Sequence, residues 1–276
     1  MIQDIEPNVY DNHYENFKPD DSSYIIFIGE NKVLAKRNND CLVLPKYSDL
    51  KCKDTDLIYL FSISDEKYFL ASDETVSNEL IENQYAFISM FQMRAMKPKA
   101  MFFATVTAYQ LAKWYKENKY CGCCGGPLRR DEKERMLFCD SCKIANYPKI
   151  CPAVIVAVTD GDKILLTKYA GREFTHYALI AGYNEIGEPI EDTVRREVME
   201  EVGLKVKNIT YYKSQPWSLT DTLLLGFFCE VDGDNTIKMD EDELSEASWL
   251  SREEIPVSHD DISLTYEMIA KFKDGI

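Results

Sequence analysis

No apolar run in the 276-residue sequence approaches the ~20 residues that a membrane-spanning helix needs. The opening stretch, MIQDIEPNVYDNHYENF, lacks the basic-then-apolar layout of a secretory leader, so a cytoplasmic protein is expected. Histidine is scarce: His13, His176 and His259 are three scattered residues, too few for a His-rich zinc hydrolase. Positive charge is also in deficit, with 32 Lys and Arg against 47 Asp and Glu, a formal net charge of −15. That balance opposes non-specific nucleic-acid binding by the molecule as a whole, and leaves polyphosphate substrates open if a divalent cation mediates the contact. Internal repeats and low-complexity tracts are absent. What is present is 45% hydrophobic and 12% aromatic residues, enough for a packed core, which excludes a disordered acidic chain. At ~100–200 residues per domain, the length suits one large domain or two, with room for a small module.

Nine cysteines are the first informative feature, because five fall between residues 121 and 142. Cys121-x2-Cys124, a gap of 14 residues, then Cys139-x2-Cys142 is a doubled CxxC with zinc-ribbon spacing. Two tight knuckles of this kind offer four thiolates to one tetrahedral Zn²⁺, leaving no coordination position open, so the zinc is expected to be structural. Two disulfides are the competing reading, and an intracellular setting disfavours them. Cys123 adds a second thiol within the first knuckle; CxxC is the spacing that wraps one ion, which selects Cys124.

The cysteine module divides the chain into an N-terminal α+β domain over 1–118, a zinc ribbon over 119–150 and a third domain over 151–276. Strand-like runs precede it at 24–29, 41–45, 56–63 and 67–71, and the stretch from Phe87 to Lys119 reads as helical. After it, AVIVAV and KILLTKY are joined by Asp160-Gly161-Asp162, a hairpin signal.

The segment 182–204, GYNEIGEPIEDTVRREVMEEVGL, carries the chemistry. Pro189 is placed to open a helix and Gly203 to end it. Val194, Val198 and Val202 recur every four residues as a core stripe. Glu197, Glu200 and Glu201 share one arc beside that stripe. Carboxylates so placed repel one another unless a cation compensates them. Hard divalent ions prefer such oxygens, and at a pyrophosphate they polarise a bond that is otherwise a poor electrophile.

The full spacing, Gly182-x5-Glu188-x7-Arg196-Glu197-Val198-x-Glu200-Glu201-x-Gly203-Leu204, meets every fixed position of the Nudix box, GX5EX7REUXEEXGU, and the sequence thus resembles a Nudix hydrolase. Ten residues separate Gly203 from Ser214-Gln215-Pro216-Trp217, which is similar to the start of the SQPWPFPxS array of the NADH pyrophosphatase subfamily. Tyr147-Pro148-Lys149-Ile150-Cys151-Pro152, after the four cysteines, resembles that subfamily's YPRxxP segment. The resemblance implies a Nudix α/β/α sandwich preceded by a four-cysteine zinc ribbon and an α+β N-terminal domain. It also implies hydrolysis of NAD(H) to nicotinamide mononucleotide and AMP with Mg²⁺ or Mn²⁺, removal of NAD caps from RNA 5′ ends by the same bond cleavage, and a homodimer.

Carried over position by position, the resemblance assigns Glu197 and Glu201 as principal ligands of magnesium or manganese. Glu200 becomes a further ligand or water-orienting base, and Arg196 holds a carboxylate in place. Ala181 and Gly182 offer backbone to metal and substrate, and Glu246 adds a metal-binding carboxylate. Substrate contacts are implied at Glu134, Tyr147, Tyr183, the stretch Gln215, Pro216, Trp217, Ser218, Leu219, Thr220, Asp221 and Thr222, and at Thr265 and Arg94. Trp217 would stack on a base. Ser218-Leu219-Thr220-Asp221-Thr222 departs from the family's PFPxS, which bears on the dinucleotide pocket and not on the hydrolytic residues.

Two other readings fit parts of the sequence. One is a Nudix hydrolase acting mainly on ADP-ribose or another nucleoside diphosphate derivative. The other is a nucleic-acid-binding regulator, suggested by seven Lys and Arg against four Asp and Glu over 119–149. A regulator has no need of intact box carboxylates, and all four glutamates are present.

Overall fold

The computed structural model describes residues 1–29, 32–50, 56–71, 77–94, 96–171, 176–256 and 261–275; His259 lies outside them. The chain separates into two compact units, one of Met1, 150–217 and 221–276, the other of 2–149 with 218–220.

The second unit begins with β1 (Tyr10–Asp11), β2 (Tyr24–Ile26), β3 (Ile28–Gly29), β4 (Lys32–Asn38), β5 (Cys41–Val43), β6 (Leu57–Ile63) and β7 (Glu66–Ala71). It continues with α1 (Ser77–Glu82), β8 (Ala86–Ser89), α2 (Met90–Met93) and α3 (Lys99–Glu117). Two small sheets result, β1-β6-β7-β2 and β3-β4-β5 with β8 against β4. The expected helical stretch from Phe87 thus begins as a strand. Phe87 and Ile88 pair with Leu34 and Val33, so sheet pairing takes the first residues before the helical pattern starts. Ser89 then caps α2, accepting the Gln92 N–H at 3.3 Å.

Three short strands, β9 (Arg129–Arg130), β10 (Leu137–Cys139) and β11 (Ile144–Asn146), form the cysteine module in the order β11-β10-β9. Side chains tie it to the rest of its unit. Trp114 Nε1 donates to Asn146 Oδ1 at 3.0 Å, Gln110 Nε2 to Lys149 O at 3.1 Å and Tyr14 Oη to Asp131 O at 3.0 Å.

The first unit is an α/β/α sandwich. Its strands are β12 (Cys151–Asp160), β13 (Lys163–Tyr169), β14 (Ile180–Tyr183), β15 (Val206–Trp217), β16 (Thr222–Val231) and β17 (Leu244–Ser251), with helices α4 (Ile190–Val202) and α5 (Leu264–Lys273). The sheet order is β15-β16-β12-β13-β17, with β14 also on β12. Both faces of β12 are buried, which explains its unbroken apolar run. Val154, Val156 and Val158 pack with Val194, Val198 and Val202 of α4, whereas Ile155 and Ala157 pack with Leu264, Met268 and Phe272 of α5. The β12–β13 hairpin closes at Asp160↔Lys163, with Gly161 at φ +61° in the turn. Pro189 stands one position outside the first helical residue, as N-cap of α4, and Gly203 ends the helix in the left-handed conformation at φ +70°. Among the described residues no helix is long and apolar enough to cross a membrane.

Candidate active site

Helix α4 sets three glutamates at different depths. Its valine stripe is fully buried, and Glu197 and Glu201, next to that stripe, follow it inward to 8% and 2% exposure. Glu200 remains on the surface. Burial disfavours an ionised carboxylate, and it raises the Glu197 pKa above the ordinary value despite the opposing pull of Arg196.

Glu197 has room only because residue 182 has no side chain. A Cβ at Gly182 would stand 1.9 Å from its Cδ and 2.0–2.1 Å from its carboxylate oxygens. Gly182 lies in β14, next to Ala181, whose N–H donates to Glu201 Oε1 at 3.4 Å. Strand and helix together present two buried carboxylates against bare backbone.

Arg196 organises the remaining acids. Its Nε and Nη2 grip Glu188 Oε1 and Oε2 at 2.9 and 3.0 Å, a two-point contact. Nη1 donates to Glu197 Oε1 at 2.7 Å and to Glu200 Oε2 at 2.9 Å, and Nη2 reaches Tyr183 O at 2.9 Å. The surface salt bridge that α4 alone would suggest is therefore one arm of a hub. Hydrogen bonds from Arg196, then from Thr193, bring the Glu188 carboxyl down to about 2. Thr193 Oγ1 donates to Glu188 Oε2 at 2.8 Å and accepts from Asn184 Nδ2 at 2.7 Å, so the loop before α4 is fastened to its first turn.

One guanidinium thus faces three carboxylates, Glu188, Glu197 and Glu200, with Glu201 buried beside them. This excess of hard oxygen donors, two of them buried against a backbone cleared by Gly182, fits a hard divalent cation such as Mg²⁺ or Mn²⁺.

The other candidate residues of this unit have varied surroundings. Glu246, on β17, accepts from Lys168 Nζ at 2.6 Å and from Tyr177 Oη at 3.2 Å. The Lys168 contact, foremost, holds its carboxyl below the usual range. Gln215 is fully buried: its Nε2 donates to Ile262 O at 2.7 Å and its Oε1 accepts from Leu264 N at 2.8 Å. It is a clasp inside the fold. Asp221 and Thr222 are buried, Trp217 is half-buried and Pro216 exposed. Tyr183 is exposed, with its hydroxyl 3.4 Å from Thr222 Oγ1, and Thr265 sits half-buried in the first turn of α5.

In the second unit Ser218 is buried, Leu219 half-buried and Thr220 exposed. Tyr147 Oη donates to Glu134 Oε2 at 2.7 Å, joining two candidate substrate contacts. Arg94 closes α2.

The Sγ atoms of Cys121, Cys124, Cys139 and Cys142 lie within 4.8 Å of one another, close enough to share one metal ion. No disulfide joins them: Cys124 and Cys139 Sγ are 3.6 Å apart and the described cysteines are free. Backbone N–H groups point at sulfur in both knuckles, Cys123 N and Cys142 N each at 3.4 Å from the Sγ of Cys121 and Cys139. N–H groups of Cys124 and Cys123 lower the Cys121 pKa to about 7, which favours the thiolate that zinc requires. Four closely grouped sulfurs fit a tetrahedral Zn²⁺.

Sequence reasoning located the α4 carboxylates and Arg196, which holds two of them, and missed the partners around Glu188 and Glu246. Glu188 was visible as a fixed position, but nothing marked Thr193, Asn184, Lys168 or Tyr177.

Residues 149–272 match the NUDIX domain. This part of the chain is a Nudix domain. Over 148 residues the chain is 40% identical to the protein named NAD-capped RNA hydrolase NudC of Salmonella heidelberg (strain SL476), covering 54% of this chain and 57% of that relative. The protein of the same name from Salmonella schwarzengrund (strain CVM19633) is 39% identical over the same shares. The chain therefore spans little more than half the length of these curated relatives. A solved NUDIX hydrolase from Nitrosomonas europaea aligns at TM-score 0.49 and 21% identity, over 56% of this chain and 90% of that one.

Proposed function

We propose that the protein is a metal-dependent Nudix pyrophosphatase that hydrolyses NAD(H) to nicotinamide mononucleotide and AMP, yielding the reduced mononucleotide from NADH. The same cleavage would remove NAD caps from RNA 5′ ends. The observation that carries this reading is the pair of buried carboxylates on α4: Glu197, set against Gly182 and held by Arg196, and Glu201, which accepts from the Ala181 N–H. Identity to relatives named NAD-capped RNA hydrolase supports the substrate class.

Glu197 and Glu201 would hold Mg²⁺ or Mn²⁺, with Glu200 as a further ligand or the base that orients water. An ion held there would lower the pKa of a bound water and neutralise charge on the diphosphate. Arg196 fixes Glu197 and Glu200, and Gly182 leaves the space that the Glu197 carboxylate occupies. Hydrolysis adds water across one phosphoanhydride bond: hydroxyl goes to one phosphorus and the other phosphate leaves with a proton. Tyr183, Trp217, Asp221, Thr222 and Thr265 are proposed as dinucleotide contacts of the Nudix unit, and Ser218, Leu219, Thr220, Glu134, Tyr147 and Arg94 as substrate contacts of the other unit. Cys121, Cys124, Cys139 and Cys142 would hold a structural Zn²⁺.

The proposed organisation is a homodimer in the cytoplasm, each chain divided at 1–118, 119–150 and 151–276. RNA recognition would rest on lysines of the ribbon. Arg129 and Arg130 pair with Asp140 and Asp56, and Arg135 donates to Asn12 O, whereas Lys119, Lys133, Lys143 and Lys149 are exposed.

The test is product analysis after incubation with Mg²⁺ or Mn²⁺ and NADH, ADP-ribose or NAD-capped RNA. Reduced nicotinamide mononucleotide and AMP are expected from NADH. Activity on ADP-ribose with none on NADH, NAD⁺ or capped RNA would reject the substrate and keep the chemistry.

A further inference from the structure

Lys168 and Glu246 face each other across neighbouring strands, in register between β13 and β17. The ammonium is fixed on two sides. Its Nζ lies 2.6 Å from Glu246 Oε2 and 4.5 Å from the centroid of the Tyr177 ring. Tyr177 closes the other side of the carboxylate, donating its hydroxyl to Glu246 Oε1 at 3.2 Å. Both oxygens of Glu246 thus have donors, and one is matched by a full positive charge. The side chains are 29% and 37% exposed, so the pair is partly shielded from competing water. Glu197 presents a different picture: it is more deeply buried, and its partner Arg196 is shared with Glu188 and Glu200.

We propose that Lys168 is a built-in counter-ion that occupies Glu246 in place of a divalent cation, so that ion binding in this domain falls on the α4 carboxylates alone. The inference rests on the ion-dependent reading of α4 given above. Lys168 is a positioning residue, because it acts through Glu246. Its ammonium supplies one positive charge and hydrogen-bond donors, whereas an ion would need the same oxygens as ligands. Removing the ammonium leaves Glu246 charged and open to coordination.

The experiment is Mn²⁺ titration of the full-length protein followed by electron paramagnetic resonance of the free ion, which reads binding without turnover. Glu246→Gln is expected to bind Mn²⁺ as the wild type does, while Glu201→Gln loses an ion. Lys168→Gln, which removes the competing positive charge, is expected to tighten Mn²⁺ binding about tenfold or to add an ion, and Lys168→Arg to resemble the wild type. Losing one charge also attracts cations generally, so the double variant Lys168→Gln/Glu246→Gln decides: it should return to wild-type binding. Loss of an ion in Glu246→Gln overturns the inference, and so does a gain in Lys168→Gln that survives in the double variant. Wild-type protein that binds no Mn²⁺, with Lys168→Gln also binding none, overturns both the inference and the ion-dependent reading of α4. Loss in Glu246→Gln with loss in Glu201→Gln overturns the inference alone.

Discussion

The carboxylate of Glu197 lies in the space a side chain at residue 182 would fill, with Cδ 1.9 Å from the position of a Cβ on Gly182. No small movement relieves an overlap of that size, because Glu197 is also held by Arg196 at 2.7 Å. Gly182→Ala should therefore drive the carboxylate out of place while the neighbouring valine stripe of α4, packed in the core, keeps the helix seated. Turnover of NADH is expected to fall by about 100-fold, the scale of an ångström-sized misplacement of a reacting group. Steady-state kinetics beside a melting curve checks this. Near-normal turnover in folded Gly182→Ala would remove Glu197 from the machinery.

The Glu188–Arg196 pair makes a pH prediction. Its folded carboxyl titrates at about 2 against an ordinary 4.5, so protons bind more readily to the unfolded chain over that interval. The stability it contributes is complete above about pH 4.5 and is lost as pH falls toward 2. Glu188→Gln should melt below the wild type at neutral pH, and the gap should narrow only on acidification through that range. Thermal melts of both proteins from neutral pH downward measure it. A gap that closes already between pH 8 and 6 would point to another group.

How much of this is legible in the sequence depends on distance along the chain. The α4 stripe and its glycine terminator were legible because both are local: period and cap fall within one helix. The hairpin at Gly161 was legible for the same reason. The strand at Ala86–Ser89 was not, because its partner in β4 is some fifty residues away. Lys168 and Glu246 were illegible as a pair, being 78 residues apart and joined only by strand register. The box named Gly182 without saying why; the reason is the volume of a side chain fifteen residues further on.

The cysteine cluster predicts about one Zn²⁺ per chain. With N–H groups already directed at sulfur in each knuckle, metal binding and folding of the ribbon are coupled, and chelation should lower the melting temperature. Cys123 is exposed and stands outside the four-sulfur group. Cys123→Ser should retain zinc and Cys124→Ser should lose it, as read by elemental analysis after gel filtration. The reverse result would exchange the two as ligands.

Gln215 and Trp217 are two residues apart on β15 and should fail in different ways. Gln215 is fully buried and its amide is held by Ile262 O and Leu264 N. Gln215→Leu keeps the approximate volume and strips both backbone groups of this partner, at ~1–3 kcal/mol for each buried group left unsatisfied. Its melting temperature should drop by several degrees, with KM changing alike for every substrate. Trp217 is half-buried, and its ring is proposed to stack on a base of the dinucleotide. Stacking on an aromatic side chain is worth ~1–3 kcal/mol per base, and ADP-ribose has no nicotinamide to stack. Trp217→Ala should therefore raise KM for NADH roughly 5- to 150-fold more than for ADP-ribose, with little change in melting temperature. Equal losses on both substrates would put the ring under adenine or in the core, and a large drop in melting temperature would favour the core.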